Sequence, residues 1–536
     1  MRVHMTMIAK RNTAILLLFA CWTAVSIGAI FLRPLWPVDE TRYVSVAWDM
    51  WLRGDFLVPH LNGEPYSHKP PLLFWLMHAG WAMFGVNDWW PRLISPLLAL
   101  ACVPLLKQLA NRLWPDLPAV GEWSIWALFG TLLFALFITL TMFDMLLACI
   151  VLLGMLAVVQ AAQGERRGLI WLGVAIGLGI LAKGPVTLLH VLPAALVAPW
   201  WQVSLRSEPR RWYLGLLAAL LLGAVIGLAW ALPAAYFGGE VYRRAILWGQ
   251  TAGRITESFA HRAPWWHYLP LLPVLLFPWL VCPTFWRGLR RQWADKGVRF
   301  ILAWLIPVFV GFSLISGKQA KYLVPLMPGF ALLAGFALSR AEAAQERIAT
   351  VWPAFAYLAA GVALFYVPTN LQRFSLPDWA STLPQWPGFV LFAIAASLLP
   401  AARAPLQTGV RVLTFATWGL FTVALLGLVR PMVPYYDPGP TAQYLAALQA
   451  RGVPVAYWGG YHAQFNFAGR LRQPLVILDD QSAPPWLLSH PTGRVVMMVR
   501  AEERAAHSAP EYEQPLRGFW VQVWDASAVP RFWFSR

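Results

Sequence analysis

Asp39, Glu40 and Arg42 stand together in the stretch PVDETRYVSVAW, shortly after an apolar run that ends at Leu32. An acid just past the end of a membrane span is costly unless solvent or a partner meets it. Asp39 therefore has three readings. It pairs with Arg42, it caps a helix that begins at Glu40, where Asp is favoured, or it works on a substrate, for example as a general base to a hydroxyl. Asp144 is a second such acid, and it either caps the helix that follows or joins a site. Lys183 sits at a helix end, where a lysine either snorkels to the surface or faces an anion.

The elements that must position these groups are membrane helices. The chain has 536 residues, 59% hydrophobic and 12% charged, against about one quarter charged in a soluble domain. Its mean hydropathy is +0.54. The formal net charge of +17 does not indicate nucleic acid, because the basic residues are scattered through short loops between apolar runs, the pattern of cytoplasmic membrane loops. Cys21, Cys102, Cys149 and Cys282 all lie inside apolar runs and read as small buried hydrophobes.

Runs of spanning length fall near 13–32, 91–111, 122–141, 144–162, 168–182, 185–201, 212–233, 268–286, 299–316, 323–339, 350–368, 387–402 and 412–430, about thirteen helices. The first follows Arg2, Lys10 and Arg11 and reads as an uncleaved helix. Every second loop is basic: Lys107 and Arg112; Arg166 and Arg167; Arg206, Arg210 and Arg211; Arg287 to Arg299; Arg340 and Arg347; Arg403 and Arg411. That side, with the N-terminus, is expected to be cytoplasmic. Asp39 to Lys69, Asp144, Lys183, the 235–267 segment and the Gly317 to Tyr322 turn fall on the opposite, outer side, and so does the tail. A site at the outer membrane surface accounts for that segregation.

Within the first outer loop, 33–90, Val44, Ala47, Trp48 and Trp51 recur at helical spacing between Glu40 and Arg53. They predict an amphipathic helix lying in the interface. Gly54-Asp55 and Asn62-Gly63 predict turns, and Leu72 to Phe84 a second short helix. Pro431 to Pro440 reads as a linker. Beyond it a helix at Thr441–Arg451 and strands at Val453–Trp458, Leu475–Leu478 and Val495–Val499 predict a small α/β unit. The expected division is 1–434 for the membrane part and 435–536 for an outer domain.

Several spaced motifs carry a resemblance. They are Asp39-Glu40-x-Arg42-Tyr43; Gly54-Asp55 with Pro59 and Asn62-Gly63; Tyr66 with Lys69-Pro70-Pro71; and Thr141-Met142-Phe143-Asp144. They continue with Leu181-Ala182-Lys183-Gly184-Pro185, His261 to Trp266, and Gly317-Lys318 with Tyr322 and Pro325. This series resembles the bacterial lipid A aminoarabinose transferases and, more widely, the protein O-mannosyltransferase-like group of polyprenyl-phosphate-dependent glycosyltransferases. The resemblance implies an α-helical membrane fold of the GT-C type with interfacial helices in the first outer loop and a small C-terminal α/β domain. It implies an inverting transfer from a polyprenyl-phosphate-linked sugar to an acceptor such as lipid A, at the outer face of a bacterial inner membrane.

By that resemblance Asp39 is the central acid and Asp144 a second. Lys69, Lys183, Arg254 and Tyr322 go to the lipid phosphate, whose growing charge needs cations. Glu40, Arg42, Tyr43, Tyr66 and Lys318 are further substrate-binding candidates. With an alcohol acceptor Asp39 is a general base. With a phosphate acceptor, already ionised, it orients groups and steadies positive charge on the sugar. The group includes metal-binding members, and His60, Glu64, His68 and His261 are possible zinc ligands. The chain departs from the aminoarabinose transferases at His68, where they carry an acid directly before Lys-Pro. Two alternatives stay open: transfer to protein or another glycolipid, and a multi-span lipid or solute transporter. The transporter would place charges near mid-membrane in related halves.

Overall fold

The apolar runs fold into helices because nothing in a bilayer but the chain itself can satisfy their backbone. A computed structural model describes residues 2–247, 262–370, 378–504 and 509–529. The first part holds α1 (Arg2–Leu32), α2 (Asp39–Arg53), α3 (Leu72–Phe84), α4 (Trp89–Leu113), α5 (Ala119–Phe129), α6 (Leu132–Ile138), α7 (Phe143–Ala162), α8 (Arg166–Lys183) and α9 (Val186–Leu196). Among the described residues eight helices are long and apolar enough to cross a membrane, or nine if α5 and α6, bent by 67°, make one span. The protein is a multi-span membrane protein.

The remaining expected runs take other forms. The 268–286 run breaks into Leu269–Leu271, Leu272–Leu275, Trp279–Val281 and Pro283–Leu289. Pro270, Pro273, Pro278 and Pro283 each remove a backbone donor there. The 185–201 run divides into α9 and Ala198–Trp201, and the 387–402 run is the 16-residue helix Trp386–Ala401. α8 carries Arg166 and Arg167 at one end and Lys183 at the other. Apolar composition reveals neither a proline break nor a helix end.

Two arginines join the first elements. Arg92 of α4 donates to the carbonyls of Ala29 and Ile30, which α1 leaves without intrahelical partners at its end. Arg33 grips Glu40 through two bonds of 2.5 and 3.1 Å. Glu40 also accepts from the Trp36 and Thr141 N–H groups at 2.9 and 2.6 Å. The end of α1, the start of α2 and the turn before α7 are thus held as one corner.

α2 ends at Gly54, whose φ of +67° is the left-handed conformation that stops a helix. β1 (His60–Leu61) and β2 (Glu64–Pro65) then pair as a short hairpin. Asn62 and Gly63 turn it, both at positive φ. α3 spans the residues its sequence predicts. α2 does not lie open to lipid, as its amphipathic pattern suggests. Apart from Arg42, its residues from Glu40 to Met50 are buried.

Part of that cover is the C-terminal segment. The expected linker is helical through Arg430–Tyr436, and after a break at Asp437 and Pro438 a helix runs over Gly439–Ala450. Five strands follow: β3 (Val455–Trp458), β4 (Val476–Leu478), β5 (Arg494–Val499), β6 (Tyr512–Leu516) and β7 (Phe519–Asp525), in the order β4-β3-β5-β7-β6. β3 is parallel to β4 and β5, and β7 is antiparallel to β5 and β6. Residues alternate between two cores. Val455, Tyr457 and Val496 face Leu445 and Leu448, whereas Ala456, Val495 and Met497 face Ala483.

The sheet domain is fastened to α2 and the hairpin. Ser45 Oγ donates to Ala463 O at 2.8 Å and Trp48 Nε1 to Leu471 O at 2.9 Å. Asn62 and Leu475 exchange two bonds of 2.9 Å. Phe467 stacks on Trp81 of α3, with centroids 5.4 Å apart.

Candidate functional site

Asp39 opens α2. Its N-cap is Val38, and no side chain caps the helix, so Asp39 is a first-turn residue, where negative charge suits the helix dipole. One carboxylate oxygen is ion-paired with Arg42, one turn along. The other accepts from Lys321 Nζ at 2.6 Å. The side chain keeps 31% exposure, so the pair faces open space. Burial alone would push this carboxyl up. Lys321, then Arg42 and Lys69, outweigh burial and hold it below its ordinary range. A carboxylate so held is a weak base.

Asp144 lies in the first turn of α7, again without a capping bond. It accepts from Lys183 Nζ at 2.5 Å, and this pair is buried, at 3% and 10% side-chain exposure. The Lys183 ammonium stands 5.4 Å from the centre of the Tyr322 ring, a favourable place for a cation. The Lys69 ammonium stands 5.8 Å from the centre of the Phe143 ring, next to Asp144. Tyr43 meets Phe143 edge-on at 4.9 Å, and buried Tyr66 belongs to the same cluster. The structure therefore gathers Asp39, Arg42, Tyr43, Tyr66, Lys69, Asp144, Lys183 and Tyr322 from five separate stretches of chain. Four cations (Arg42, Lys69, Lys183, Lys321) face two acids (Asp39, Asp144), a local excess of +2. Such a site attracts an anion.

Other sequence candidates lie elsewhere. Glu40 is 2% exposed, with its oxygens engaged by Arg33, Trp36 and Thr141. It serves as a strut between the end of α1, the start of α2 and the turn before α7. Lys318 is buried, and its Nζ donates to the carbonyls of Ala263 and Ile315 at 3.0 and 2.6 Å. It clamps the turn before Lys321. Arg254 and His261 fall outside the described residues, as do Trp248 to Gln250.

Among the described residues, His60, Glu64 and His68 do not converge on one point. His60 Nδ1 meets Val58 O at 2.8 Å, Glu64 is exposed on the hairpin, and the His68 ring is 5.2 Å from Tyr66. Among the described residues no three His, Cys, Asp or Glu side chains converge as a metal set.

Sequence reasoning missed Lys321. It is adjacent to Tyr322 in the same outer turn, and the Lys318-x-x-Lys321 pattern was legible. What sequence does not show is which lysine turns inward to carbonyls and which reaches an acid 282 residues away.

Comparison with known proteins adds the following. The family model described as dolichyl-phosphate-mannose-protein mannosyltransferase matches residues 68–230. An undecaprenyl phosphate-alpha-4-amino-4-deoxy-L-arabinose arabinosyl transferase 2 of Pseudomonas fluorescens is 32% identical over 412 residues, 72% of this chain and 67% of that protein. An undecaprenyl phosphate-alpha-4-amino-4-deoxy-L-arabinose arabinosyl transferase of Pseudomonas aeruginosa is 35% identical over 348 residues, 62% of this chain and 60% of that protein. Transferase 1 of Pseudomonas fluorescens is 32% identical over 60% of each chain, so the match spans 60% of that relative's length. In fold, the chain is similar to ArnT from Cupriavidus metallidurans in the apo state, with a TM-score of 0.76 and 20% identity, covering 97% of this chain and 99% of that one. The crystal structure of that ArnT bound to undecaprenyl phosphate aligns with a TM-score of 0.74 and 21% identity, over 96% and 98%.

Proposed function

Because the chain belongs to the undecaprenyl phosphate-aminoarabinose arabinosyl transferase family, we propose that it moves a sugar, aminoarabinose or a related pentose or hexose, from a polyprenyl-phosphate donor to an envelope acceptor such as lipid A. The observation that carries this reading is the cationic surround of Asp39. Lys69, Lys183 and Tyr322, with Arg254, hold the lipid phosphate of the donor. Asp144 fixes Lys183. The transferase unit is 1–434 and the accessory domain 435–536. The N-terminus is cytoplasmic, and the site and the C-terminal domain face the periplasm, following the alternation of basic loops.

The reaction balances without a general base. The acceptor is a phosphate monoester, mostly a dianion near neutral pH. A lone pair on its oxygen forms the new bond to the anomeric carbon. The bond from that carbon to the donor oxygen breaks with inversion, and its electrons leave on the polyprenyl phosphate. A dianion and a diester monoanion become a diester monoanion and a dianion. Asp39 steadies positive charge developing on the sugar, and the lysines meet the leaving phosphate. No proton needs to move, which agrees with a carboxyl that is too strongly held to accept one.

The family model matched over 68–230 supports a second reading, transfer to a protein hydroxyl. That acceptor must lose a proton, and Asp39 is poorly suited to take it. The test is purified full-length protein with undecaprenyl-phosphate-linked aminoarabinose, offered lipid A or a serine/threonine-rich peptide, with products weighed by mass spectrometry. A sugar added to lipid A supports the reading. Addition to the peptide alone replaces it with the second. No transfer to either from a purified lipid-linked donor favours a transporter.

A further inference from the structure

The reaction proposed above brings two phosphates together, carrying about three negative charges between them. Cations gathered at one anion cannot serve both, so the acceptor needs a second positive surface beside Asp39. The sheet domain supplies one. A cavity of about 290 Å³ lies between the start of α2 and the sheet, and Pro37 and Val38, the residues just before Asp39, form one wall. At the small end of ligand sites, it suits a phosphorylated sugar and not an acyl chain.

Its other walls are the ends of the sheet. Tyr457, Trp458, Gly459 and Gly460 lie at the carboxyl end of β3, and Met498 near that of β5. The chain leaves β3 for β4 on one side and then returns to β5 on the other. The cavity is thus at the carboxyl ends of two parallel strands, at the point where the winding reverses, which is where open α/β sheets bind ligands. Gly459, at φ +95°, and Gly460 add no side chain, and a Cβ at either would meet nothing within 4 Å.

Among the described residues the one cation in the lining is Arg517, with His462 and Gln464 beside it. Arg517, at positive φ in the β6–β7 turn, and His462 both line the cavity. Both are exposed, and Arg517 makes no ion pair among the described residues. Burial, then Arg42 and Arg517, push the His462 imidazole below its ordinary range, with Asp39 opposing them, so the ring lines the cavity as a neutral donor. Pro37 and Val38 on the cavity wall lead directly into Asp39, so the cavity adjoins the Asp39 site.

We propose that this cavity is the acceptor subsite: Arg517 and His462 hold the acceptor phosphate, and the sheet domain presents it to the sugar beside Asp39. This rests on the transferase reading and assigns the C-terminal domain the acceptor, leaving the donor to the membrane part. Arg517 can form charge-assisted, bidentate bonds to a phosphate, and His462 contributes a ring N–H.

The test uses purified full-length protein, titrating lipid A and the lipid-linked donor separately. Arg517→Gln should raise the acceptor KM about ten- to a hundredfold, the loss expected for a charge-assisted bond, with the donor KM within about twofold. Arg517→Lys should recover part of the loss, because charge is kept and the fork is not. His462→Ala should raise the acceptor KM by less. Inorganic phosphate should compete with lipid A in the unmutated protein and lose that effect in Arg517→Gln. An unmutated protein that transfers sugar while Arg517→Gln keeps its acceptor KM overturns the subsite alone. An equal rise in the donor KM, or a fall in kcat with neither KM moved and no rescue by lysine, also overturns it. An unmutated protein that transfers nothing overturns the transferase reading and the subsite with it.

Discussion

Two acid–lysine pairs stand side by side in this protein, and they differ in what surrounds them. Asp144 and Lys183 are shut in at 3% and 10% exposure and paired with each other. Asp39 keeps 31% exposure and is shared between Lys321 and Arg42. A buried ion pair loses heavily when one member is removed, because the other charge is stranded. A half-exposed pair loses little, because water replaces the partner. The first pair is therefore expected to carry stability as well as to hold Lys183 in place, and the second is the more open to a substrate.

That contrast can be broken most sharply at Asp39. Asp39→Asn should lower turnover about a hundredfold or more, the scale of losing one pre-organised electrostatic contact, while thermal unfolding in detergent stays close to that of the parent. Near-normal turnover would remove Asp39 from the site. Asp144→Asn should act in the other direction, costing about 3–5 kcal/mol of stability by leaving Lys183 uncompensated. The double change Asp144→Asn with Lys183→Met should regain much of that stability without regaining activity. If the single change leaves the unfolding temperature alone, the buried pair is not structural.

Smaller effects sharpen the donor side. Lys69→Ala should weaken donor binding about ten- to a hundredfold, and Tyr322→Phe by less, about 0.5–1.5 kcal/mol. If both touch one phosphate, the double variant should be non-additive in a donor titration. Full additivity with small single effects would make them independent groups.

The smallest expected change is in pH dependence. The Asp39 carboxyl is held below its ordinary range, so its contribution is complete above that range and is lost only as pH falls through the lowered value. Turnover should therefore show no acid limb from Asp39 near pH 5. Lys321→Met removes the nearest support while burial remains, so the acid limb should move to higher pH. An unmoved limb would mean that Lys321 does not set the charge on Asp39.

Much of this arrangement is legible in the sequence. Apolar length marks most spans, Asn62-Gly63 marks its turn, and the spaced motifs mark Asp39, Lys69, Lys183 and Tyr322 as a set. Where legibility fails, the reason is physical. Glu40 has the same residue type and neighbourhood as Asp39, but one residue along a helix turns it about 100°, away from the opening and into the grip of Arg33. Lys318 and Lys321 differ only in which way their turn points them. The pairing of β6 with β7 and the seating of Phe467 on Trp81 are long-range choices that local periodicity does not record. Arg517 and His462 belong to that unread part.

The bonds from Ser45 and Trp48 to Ala463 and Leu471 also set a schedule. Ser45 and Ala463 are 418 residues apart, so the helix that carries Asp39 leaves the ribosome long before its cover does. Until the sheet domain has been made and has folded, α2 lacks that roof. A chain interrupted anywhere in the intervening spans would carry α2 without its bonds to Ala463 and Leu471. The sheet domain thus completes an element made much earlier in the chain.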